Sequence, residues 1–352
     1  MNCLKANIFT TIKQNCGISS YSQFLFNELS KKIDAQIIEN TEKNFSQLAE
    51  KAKNADIVHV QFEPGAFGSM AMLKGTSIPE FFSKLSNPKK AKVVTTIHEM
   101  NESPIRGIKS LFVNLYQKHI NSFVFKNSDS IIVHSRKLEE LAKKYSKNVV
   151  FMPHGAFESQ KMVEKETAKQ SLGLKGKTVL TIFGFVEPRK QHAKIINLLP
   201  ELDENIVLVI AGKSATSNYE SQLKELCRQK NLEKRVVFTG FVEEKGKPMI
   251  FCATDLMLYP YKDIYQSGSM NEALSYRKPI LASDIEGFSE LKKFECIETS
   301  KENEWKQKIL QLLKDKKKQQ ILEKKAANYC SQNSWKKTAE RTIELYENLL
   351  NA

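Results

Sequence analysis

The sequence has no apolar run long enough to cross a membrane. Its longest runs, such as residues 179–186 with Thr181 and Gly184 interrupting, fall far short of the roughly 18 residues that a membrane helix needs. No long apolar core follows a basic start at the N-terminus, so we expect no secretory signal. The six cysteines are scattered without a CxxC pair, which argues against a zinc site or a disulfide framework and favours a reduced, cytoplasmic protein.

The sequence signatures of several enzyme classes are missing as well. No GxGxxG follows a strand, which disfavours a dinucleotide cofactor, and there is no Walker A sequence. HExxH is absent and the histidines are not at metal-ligand spacing. No GxSxG, Ser-His-Asp or Cys-His pattern indicates a protein nucleophile. We therefore predict no resident cofactor and no metal.

Negative charge is in short supply, since the net charge is +14. Residues 1–155 hold 21 Lys and Arg against 13 Asp and Glu, including the run 84–92 (KLSNPKKAK). In residues 106–126, apolar and basic side chains alternate, which suits either a helix lying on an anionic membrane surface or a core helix with a basic outer face. No aromatic-basic pattern of a nucleic-acid module is present, so we predict no nucleic-acid partner.

Strands and helices alternate along almost the whole chain. The predicted strands are 7–12, 56–62, 92–97, 130–134, 149–152, 177–183, 206–211, 235–241, 256–259 and 279–283; the predicted helices include 20–32, 136–144, 217–229, 268–276, 301–330 and 335–350. Strongly apolar strands in β-α alternation indicate parallel sheets covered on both faces. Two such series predict an α/β protein with two doubly wound domains, divided between residues 155 and 172.

Unusual residues follow the ends of the predicted strands in both halves. Ligands of open parallel sheets bind at the carboxyl ends of strands, near the switch in strand order. Both domains are predicted to carry their ligand residues at this edge, which suggests a cleft between them.

The segment 259–283 carries the most specific signal. It predicts a buried strand, the small-residue loop 266–269, a helix from about Met270, and a second strand. The positive end of that helix is a ready anion site. Glu272 is predicted in the first turn, where its carboxylate either accepts hydrogen bonds from sugar hydroxyls or serves only the helix dipole. Phosphate beside ribose is the chemistry of a nucleotide sugar.

Further candidates lie after other strands. Gly17 lets backbone N–H groups approach a phosphate, or is a plain turn glycine. His98 can hydrogen-bond a substrate hydroxyl or carry a proton, or is a satisfied edge histidine. Arg189 and Lys190 would neutralise a diphosphate, or are a solvated pair.

The remaining histidines receive structural roles. His59 lies inside an apolar strand and is predicted to be a buried, hydrogen-bonded core residue. His134 and His154 are also expected to be structural.

Several motifs occur together in a specific order. They are GIS near the start, VVTTIH, IIVHS, MPHG, FGFVEPRK, VIAG, VVFTGFV, EALSYRKPILASDIEGFSEL and the terminal SWKKTAERTIELYENLL. Together they resemble retaining glycosyltransferases of the GT-B fold, family 4 type (glycosyl transferases group 1), over essentially the whole chain. The resemblance implies two Rossmann-like parallel-sheet domains that face each other across a cleft, with a C-terminal helix crossing back to the first domain.

The resemblance also implies roles for individual positions. Lys190 matches the lysine that binds the donor diphosphate, and Gly17 matches a glycine-loop residue beside it. Glu272 matches the second glutamate of a Glu-x7-Glu motif, which holds the nucleotide ribose. His98 matches a histidine of the N-terminal domain near the donor sugar and the reaction centre.

The loop of Gly240, Phe241 and Val242 would offer backbone groups to the base. The predicted catalytic residues are His98 and Glu272, and the predicted donor-binding residues are Gly17, Arg189, Lys190, Phe241, Val242, Ser267, Gly268, Ser269 and Glu272.

Two positions depart from the family pattern. The first glutamate of the motif falls at Ile264, one residue from Asp263. The arginine that usually follows the glycine of the lysine loop falls at Phe185, with Arg189 as a substitute for its charge. The loop 266–269 resembles a subgroup in which Gln-Ser-Gly replaces Gly-Phe-Gly.

The resulting prediction has three segments: an acceptor-binding domain (1–160), a donor-binding domain (161–334) and a helix that packs back on the first domain (335–352). The expected activity moves a hexose from a nucleoside-diphosphate sugar to an acceptor hydroxyl with retention, in polysaccharide or glycolipid synthesis. The expected partners are the nucleotide sugar, a carbohydrate or lipid-linked acceptor, and an anionic membrane surface met by the basic first domain. The protein is expected in the cytoplasm or at the inner face of the cell membrane. A non-catalytic nucleotide-sugar-binding protein and a sugar-nucleotide epimerase remain as alternatives.

Overall fold

The computed structural model describes residues 3–10, 17–40, 44–63, 77–86, 91–100, 108–214 and 217–352. The chain divides into two compact units. Unit 1 comprises Met1–Gly155 together with Trp335–Ala352, and unit 2 comprises Ala156–Ser334. Each unit is built around its own parallel sheet.

The sheet of unit 1 has six parallel strands in the order β2-β1-β3-β4-β5-β6. They are β1 (Lys5–Thr10), β2 (Asp34–Glu39), β3 (Ile57–Phe62), β4 (Lys92–Ile97), β5 (Ser130–Val133) and β6 (Val149–Phe151). Every residue of the central strand β3 is buried, as expected for a parallel strand that helices cover on both faces.

The sheet of unit 2 also has six parallel strands, in the order β12-β11-β10-β7-β8-β9. They are β7 (Thr178–Phe183), β8 (Ile206–Ala211), β9 (Val236–Gly240), β10 (Leu256–Tyr259), β11 (Ile280–Ser283) and β12 (Glu298–Ser300). The strand order reverses between β7 and β10, which is the arrangement of a doubly wound nucleotide-binding sheet.

The helices connect successive strands and cover the sheets. In the described part of residues 1–155 they are α1 (Gly17–Leu29), α2 (Phe45–Ala52), α3 (Ser77–Ser86), α4 (Ile108–Lys126) and α5 (Arg136–Ala142). Those of unit 2 are α6 (Lys165–Ser171), α7 (His192–Leu198), α8 (Ser217–Gln229), α9 (Lys247–Ala253), α10 (Gly268–Ser275), α11 (Ser289–Lys293), α12 (Trp305–Lys314) and α13 (Lys316–Gln332). The chain then returns to unit 1 as α14 (Trp335–Asn351).

The last helix is integrated into the core of unit 1. The ring of Trp335 packs against Tyr21 and Phe24 of α1, with centroids 5.2 and 5.3 Å away. A Cβ on Gly155 would lie 2.5 Å from the Trp335 ring, so only glycine fits beside it. Further along, the Tyr346 hydroxyl lies 2.7 Å from Nδ1 of the fully buried His59.

The sequence misplaces three elements. The single predicted helix 301–330 is wrong, because Asp315 separates α12 from α13. Its backbone leaves the helical region (φ −85°, ψ 83°), and its carboxylate accepts a hydrogen bond from the Lys318 N–H at 2.8 Å, which caps the next helix. The edge strands β2 and β12 were not predicted; both are partly polar and lack the apolar run that marks a central strand, and β12 has only 3 residues.

The basic segment 106–126 forms α4 from Ile108 onwards. Leu115 is 57% exposed, whereas Ile120, Val124 and Phe125 are buried, so the end of the helix faces the core. Arg106 and most side chains before Leu115 lie outside the described residues, as do residues 87–90 of the other basic run.

Candidate functional site

The switch in strand order of unit 2 brings together the loops that follow β7 and β10. The first contains Gly184 and the 3-10 turn Pro188–Lys190, and the second leads into α10. Since ligands of doubly wound sheets bind at the carboxyl ends of strands beside the switch, this is where a ligand site is expected.

Lys190, Gly184 and Ser269 converge at this edge. A Cβ on Gly184 (φ +100°) would lie 3.0 Å from the Lys190 ammonium and 3.4 Å from the Ser269 hydroxyl. Lys190 is only 5% exposed, and its ammonium lies 5.3 Å from the centre of the Tyr261 ring. Within the described part of the chain, no carboxylate forms an ion pair with it. A nearly buried cation without an ion-pair partner is suited to bind an anion.

The position of Gly184 is fixed by a second glycine. A Cβ on Gly212, which follows β8, would collide with the carbonyl group of Gly184. The N–H of Gly184 donates to the carbonyl oxygen of Ala211 at 2.9 Å. These close backbone contacts hold the lysine loop against the end of the neighbouring strand.

The helix α10 starts beside the same glycine. Ser267 is its N-cap, and its hydroxyl accepts a hydrogen bond from the Met270 N–H at 3.3 Å. The hydroxyl groups of Ser267 and Ser269 lie 3.0 Å apart, and the Tyr259 hydroxyl donates to the Ser269 carbonyl at 2.8 Å. The predicted loop Ser267, Gly268 and Ser269 is therefore the cap and first turn of a helix whose positive end lies next to Lys190.

The sequence predicts Glu272 in the first turn of α10, but the structure does not place it there. The helix begins at Gly268, the first residue of the predicted helix 268–276, so Glu272 is in the second turn, and no acidic residue occupies the first. The reading of Glu272 as a partner of the helix dipole is therefore not supported. Its side chain is only 17% exposed, which agrees with the expectation that it faces away from bulk water.

The Glu272 carboxylate is paired with a residue that the sequence did not single out. Its Oε1 lies 2.8 Å from the ammonium of Lys247, the first residue of α9, which also contacts Glu244. Burial raises the pKa of Glu272 above its ordinary value, and the positive charge of Lys247 opposes that rise. Burial alone would lower the pKa of Lys247, but the carboxylates of Glu272 and Glu244 outweigh it and raise that pKa.

The two neighbouring cations of the lysine loop have different surroundings. Arg189 is half exposed, and its Nε donates to the Glu187 carboxylate at 2.6 Å. Phe185, where the family pattern has an arginine, is 41% exposed. The structure thus places Lys190 at the converging point and leaves Arg189 in a surface ion pair.

The loop after β9 carries the remaining predicted donor contacts. Gly240 adopts a left-handed conformation (φ +66°), which favours glycine at this turn. Phe241 is 47% exposed, whereas Val242 is partly buried and packs against the core. The chain then reaches α9 through the 3-10 turn Glu244–Gly246, so this loop leads directly to Lys247.

Ile264, which stands in place of a family glutamate, belongs to the hydrophobic core of unit 2. It is 8% exposed, and the carbonyl group of Ile264 fills the space where a Cβ on Gly287 would lie. The position is therefore packed as an apolar site.

In unit 1, His98 follows β4 and is 7% exposed. Its Nε2 lies 2.9 Å from Oε1 of Gln61 on β3; since an amide oxygen only accepts, the ring N–H donates. Burial and the nearby His134 and His154 lower the pKa of His98 well below its ordinary value. The imidazole is therefore neutral at pH 7.

His98 belongs to an aromatic cluster at the carboxyl ends of β4, β5 and β6. The His134 ring lies 5.6 Å from His98 and from His154, and the Tyr21 ring lies about 5 Å from all three. The Tyr21 hydroxyl and Nε2 of His134 are buried without a hydrogen-bond partner in the described part of unit 1. Such orphaned polar atoms are uncommon away from functional sites.

His59 is a core residue, as predicted. It is fully buried, and its ring nitrogens lie 2.7 Å from the hydroxyls of Tyr346 and Thr96. Gly17 is the first residue of α1, and a Cβ there would meet no atom within 4 Å. The loop 11–16 before it lies outside the described residues.

The described residues contain no group of three or more His, Cys, Asp or Glu side chains able to hold a metal ion. Among the helices whose residues are described, none is long and apolar enough to span a membrane.

Part of unit 2 matches a known family model. Residues 164–329 match the family model of Glycosyl transferases group 1. The site at Lys190, Ser269 and Glu272 lies within the matched residues, whereas His98 lies outside them.

A curated relative has a defined activity. The chain is 30% identical over 118 residues to a GDP-mannose:glycolipid 4-beta-D-mannosyltransferase of Xanthomonas campestris pv. campestris. The aligned residues are 33% of this chain and 32% of that protein. An uncharacterized glycosyltransferase of Methanocaldococcus jannaschii is 28% identical over 137 residues, 38% of this chain and 34% of that protein. The chain thus covers about a third of the length of the curated relatives that it matches.

The structural likeness extends over both units. The structure of the HepE protein of Anabaena in complex with UDP is similar, with a TM-score of 0.78 at 14% sequence identity. The superposed region covers 98% of this chain and 100% of the HepE chain. At this identity the likeness shows the fold alone. It confirms the predicted fold class, a GT-B fold with two Rossmann-like parallel-sheet domains, one of which carries the glycosyl transferases group 1 match.

Sequence reasoning missed two features of this region. Lys247 at the start of α9 was overlooked. A cation at the start of a helix is disfavoured by the helix dipole, so its presence there could have indicated an acidic partner. The burial difference between Arg189 and Lys190 has no signal in the sequence, because both are basic residues on one loop.

Proposed function

We propose that the protein is a retaining glycosyltransferase that moves a hexose from a nucleoside-diphosphate sugar to an acceptor hydroxyl. The observation that carries this proposal is the convergence of the Lys190 ammonium, Gly184 and Ser269 at the start of α10, with the buried Glu272 one turn further on. A cation and a helix start suit a diphosphate, and a buried carboxylate nearby suits a ribose.

The donor diphosphate would lie on Lys190 and the first turn of α10. As the bond between the anomeric carbon and the phosphate oxygen breaks, negative charge grows on the leaving diphosphate. The Lys190 ammonium and the positive helix end are fixed before the reaction, so they stabilise that charge without reorganisation. Ser267 and Ser269 add hydroxyl donors. These groups meet the diphosphate charge, so the proposed reaction uses no metal.

The nucleoside would extend toward Glu272 and the loop of Phe241 and Val242. The carboxylate would accept hydrogen bonds from ribose hydroxyls, and backbone groups of the loop would contact the base. Arg189 would join the site only by leaving its ion pair with Glu187.

His98 would act as a neutral hydrogen-bonding group for a sugar or acceptor hydroxyl, and Gly17 would let backbone N–H groups approach a phosphate. In a front-face reaction, the acceptor oxygen attacks the anomeric carbon on the side that the diphosphate leaves. The acceptor proton passes to a departing phosphate oxygen, so the configuration is retained. A neutral imidazole fits this scheme, because no protein group has to accept the proton.

The acceptor and the cellular site are proposed from the relatives. One relative transfers mannose from GDP-mannose to a glycolipid, as its name states, and HepE has been solved with UDP-glucose. We propose a lipid-linked or polysaccharide acceptor, and a cytoplasmic protein that meets the inner face of the membrane through basic residues of unit 1. Flotation with anionic liposomes at low salt tests the membrane contact; a protein that stays at the bottom of the gradient contradicts it.

The donor site is tested by nucleotide binding. A thermal-shift panel of UDP-, GDP- and ADP-sugars identifies the donor, because a ligand of the folded state raises the melting temperature. In calorimetry, Lys190→Ala and Glu272→Ala should each weaken binding about tenfold or more, as expected for lost charge-assisted contacts. The matched control is Lys306→Ala. Lys306 is an exposed residue of α12 that pairs with Glu201, and this variant should bind the nucleotide normally. Unchanged affinity in both site variants would remove the donor-site assignment.

A second candidate is a nucleotide-sugar-binding protein without transfer activity. It is favoured by the burial of Ile264 in the core, where the family pattern has a glutamate. Donor binding without transfer to any glycan or glycolipid acceptor, and without slow donor hydrolysis, would support this candidate over the enzyme.

A further inference from the structure

The ion pair between Lys247 and Glu272 joins two elements of unit 2 that are separate in sequence. Lys247 begins α9 directly after the loop of Phe241 and Val242, and Glu272 lies on α10. Their charged atoms are 2.8 Å apart, and the side chains are only 15% and 17% exposed. A pair so little exposed is screened weakly, so removing one partner has a large effect on the other.

The placement of Lys247 is unfavourable for its own helix. The first turn of a helix carries partial positive charge, which disfavours a cation there. Lys247 is compensated by two carboxylates, but Glu244 is 77% exposed and contributes little. The buried Glu272 is the significant partner. A residue that violates a local rule and is compensated by a site residue is expected where function requires it.

From this geometry we infer that Lys247 is a positioning residue that makes Glu272 selective for ribose. The inference rests on the proposed donor site. The ammonium holds Oε1 of Glu272 and keeps the carboxylate ionised, so that its two oxygens accept hydrogen bonds from the 2′- and 3′-hydroxyls. An ionised carboxylate has about four acceptor positions, so Oε1 can accept from Lys247 and from a hydroxyl together. Lys247 also fixes the distance between the base loop and the ribose acid.

Without Lys247, the carboxylate would be buried and unpaired. Burial already raises the pKa of Glu272, and the lysine is the group that opposes it. Loss of the ammonium would therefore favour the protonated acid and leave its orientation unfixed. A protonated carboxyl group accepts fewer hydrogen bonds, so the preference for a ribose over a deoxyribose should fall.

The experiment compares ribonucleotides with 2′-deoxyribonucleotides on the full chain. UDP, GDP and ADP and their 2′-deoxy forms are titrated by calorimetry, and the tightest pair is used. The wild-type protein should prefer the ribonucleotide about tenfold, the value of one charge-assisted hydrogen bond. Lys247→Met should reduce this ratio to nearly one, while Lys247→Arg should retain most of it.

Lys245→Met provides the matched control. Lys245 lies in the 3-10 turn just before Lys247, is 87% exposed and pairs with Glu243, so its loss should leave the ratio unchanged. Circular dichroism melts verify that each variant is folded. If Lys247→Met does not fold, the Lys247→Gln variant is measured in its place.

Glu272→Gln separates this inference from the proposed function. If Glu272→Gln loses the ribose preference and the Lys247 variants keep it, the role of Lys247 is refuted while the donor site stands. If neither change alters nucleotide binding, the donor site itself is wrong and the inference fails with it. Loss of the preference in both, with Lys245→Met normal, supports the role of Lys247.

Discussion

Neighbouring residues of one loop can have very different chemistry. Arg189 and Lys190 are equivalent in sequence, yet one forms a half-exposed ion pair and the other is nearly buried beside Gly184. The sequence located the loop, because two cations follow a strand and a glycine. It did not separate their roles, because the burial of Lys190 depends on its contacts with Gly184 and Tyr261, which a local sequence pattern does not encode.

The acid of the predicted site was found by its position after a strand, but its surroundings were not. Glu272 lies in the second turn and is paired with Lys247, 25 positions earlier in the chain. A contact between two connecting elements depends on how both pack on the sheet. Sequence patterns within either segment therefore carry little information about it.

We expect His98→Ala to lower turnover more than donor affinity. The neutral ring forms a hydrogen bond with a hydroxyl and adds no charge to the diphosphate site. The turnover number kcat should therefore fall about tenfold, the value of one lost hydrogen bond, while nucleotide affinity changes less than about threefold. Steady-state kinetics with the donor found by thermal shift measures both. His119→Ala, an exposed histidine of α4, is the control. A normal kcat for the His98 variant would show that this histidine is a bystander.

At the scale of elements, the strongly apolar central strands were predictable and the edges were not. Strands β4, β8 and β10 have the predicted bounds, since continuous β-branched and aliphatic runs mark strands buried on both faces. The edge strands β2 and β12 depend on pairing with a neighbour that is already in place. The break at Asp315 was missed because a single capping residue interrupts an otherwise continuous helical pattern.

The cap of α10 links element stability to the proposed chemistry. Ser267→Ala removes the acceptor for the Met270 N–H and should destabilise unit 2 by about 1 kcal/mol. It should also weaken nucleotide binding, because the helix start is the proposed phosphate site. Thermal melts and calorimetry measure the two effects.

Ser135→Ala is the matched control for this prediction. Ser135 caps α5 in unit 1 by accepting from the Leu138 N–H at 3.2 Å. Its loss should cost similar stability with no change in nucleotide affinity. Equal nucleotide affinity in the Ser267 variant and the wild type would contradict the phosphate role of the helix start.

At the scale of the whole molecule, unit 1 concentrates buried, neutral histidines. Burial lowers the pKa of His59 and of His134 to about 3, from an ordinary value of 6.5. The unfolded chain therefore binds protons that the folded unit does not. The stability that these histidines contribute is complete above about pH 6.5 and is lost as the pH falls toward 3.

The melting temperature of unit 1 should accordingly decrease as the pH falls from 7 to 5. Below pH 6.5, each fully buried histidine should lower the free energy of unfolding by roughly 1.4 kcal/mol per pH unit. Glu272, with its raised pKa, acts in the opposite direction in unit 2. His134→Gln should reduce the slope of melting temperature against pH, whereas His119→Ala should leave it unchanged. A flat profile between pH 7 and 5 would show that the buried histidines are charged or accessible.

The return of α14 to unit 1 has a consequence for biosynthesis. Trp335 fills the space beside Gly155, and Tyr346 completes the hydrogen bonds of His59, yet residues 335–352 are translated after all of unit 2. On the ribosome, unit 2 can become a complete folding unit while unit 1 still waits for its last helix. The apolar surface around Tyr21 and Phe24 then stays uncovered until residues 335–352 have left the ribosome, so unit 2 can finish folding before unit 1 although unit 1 is begun first.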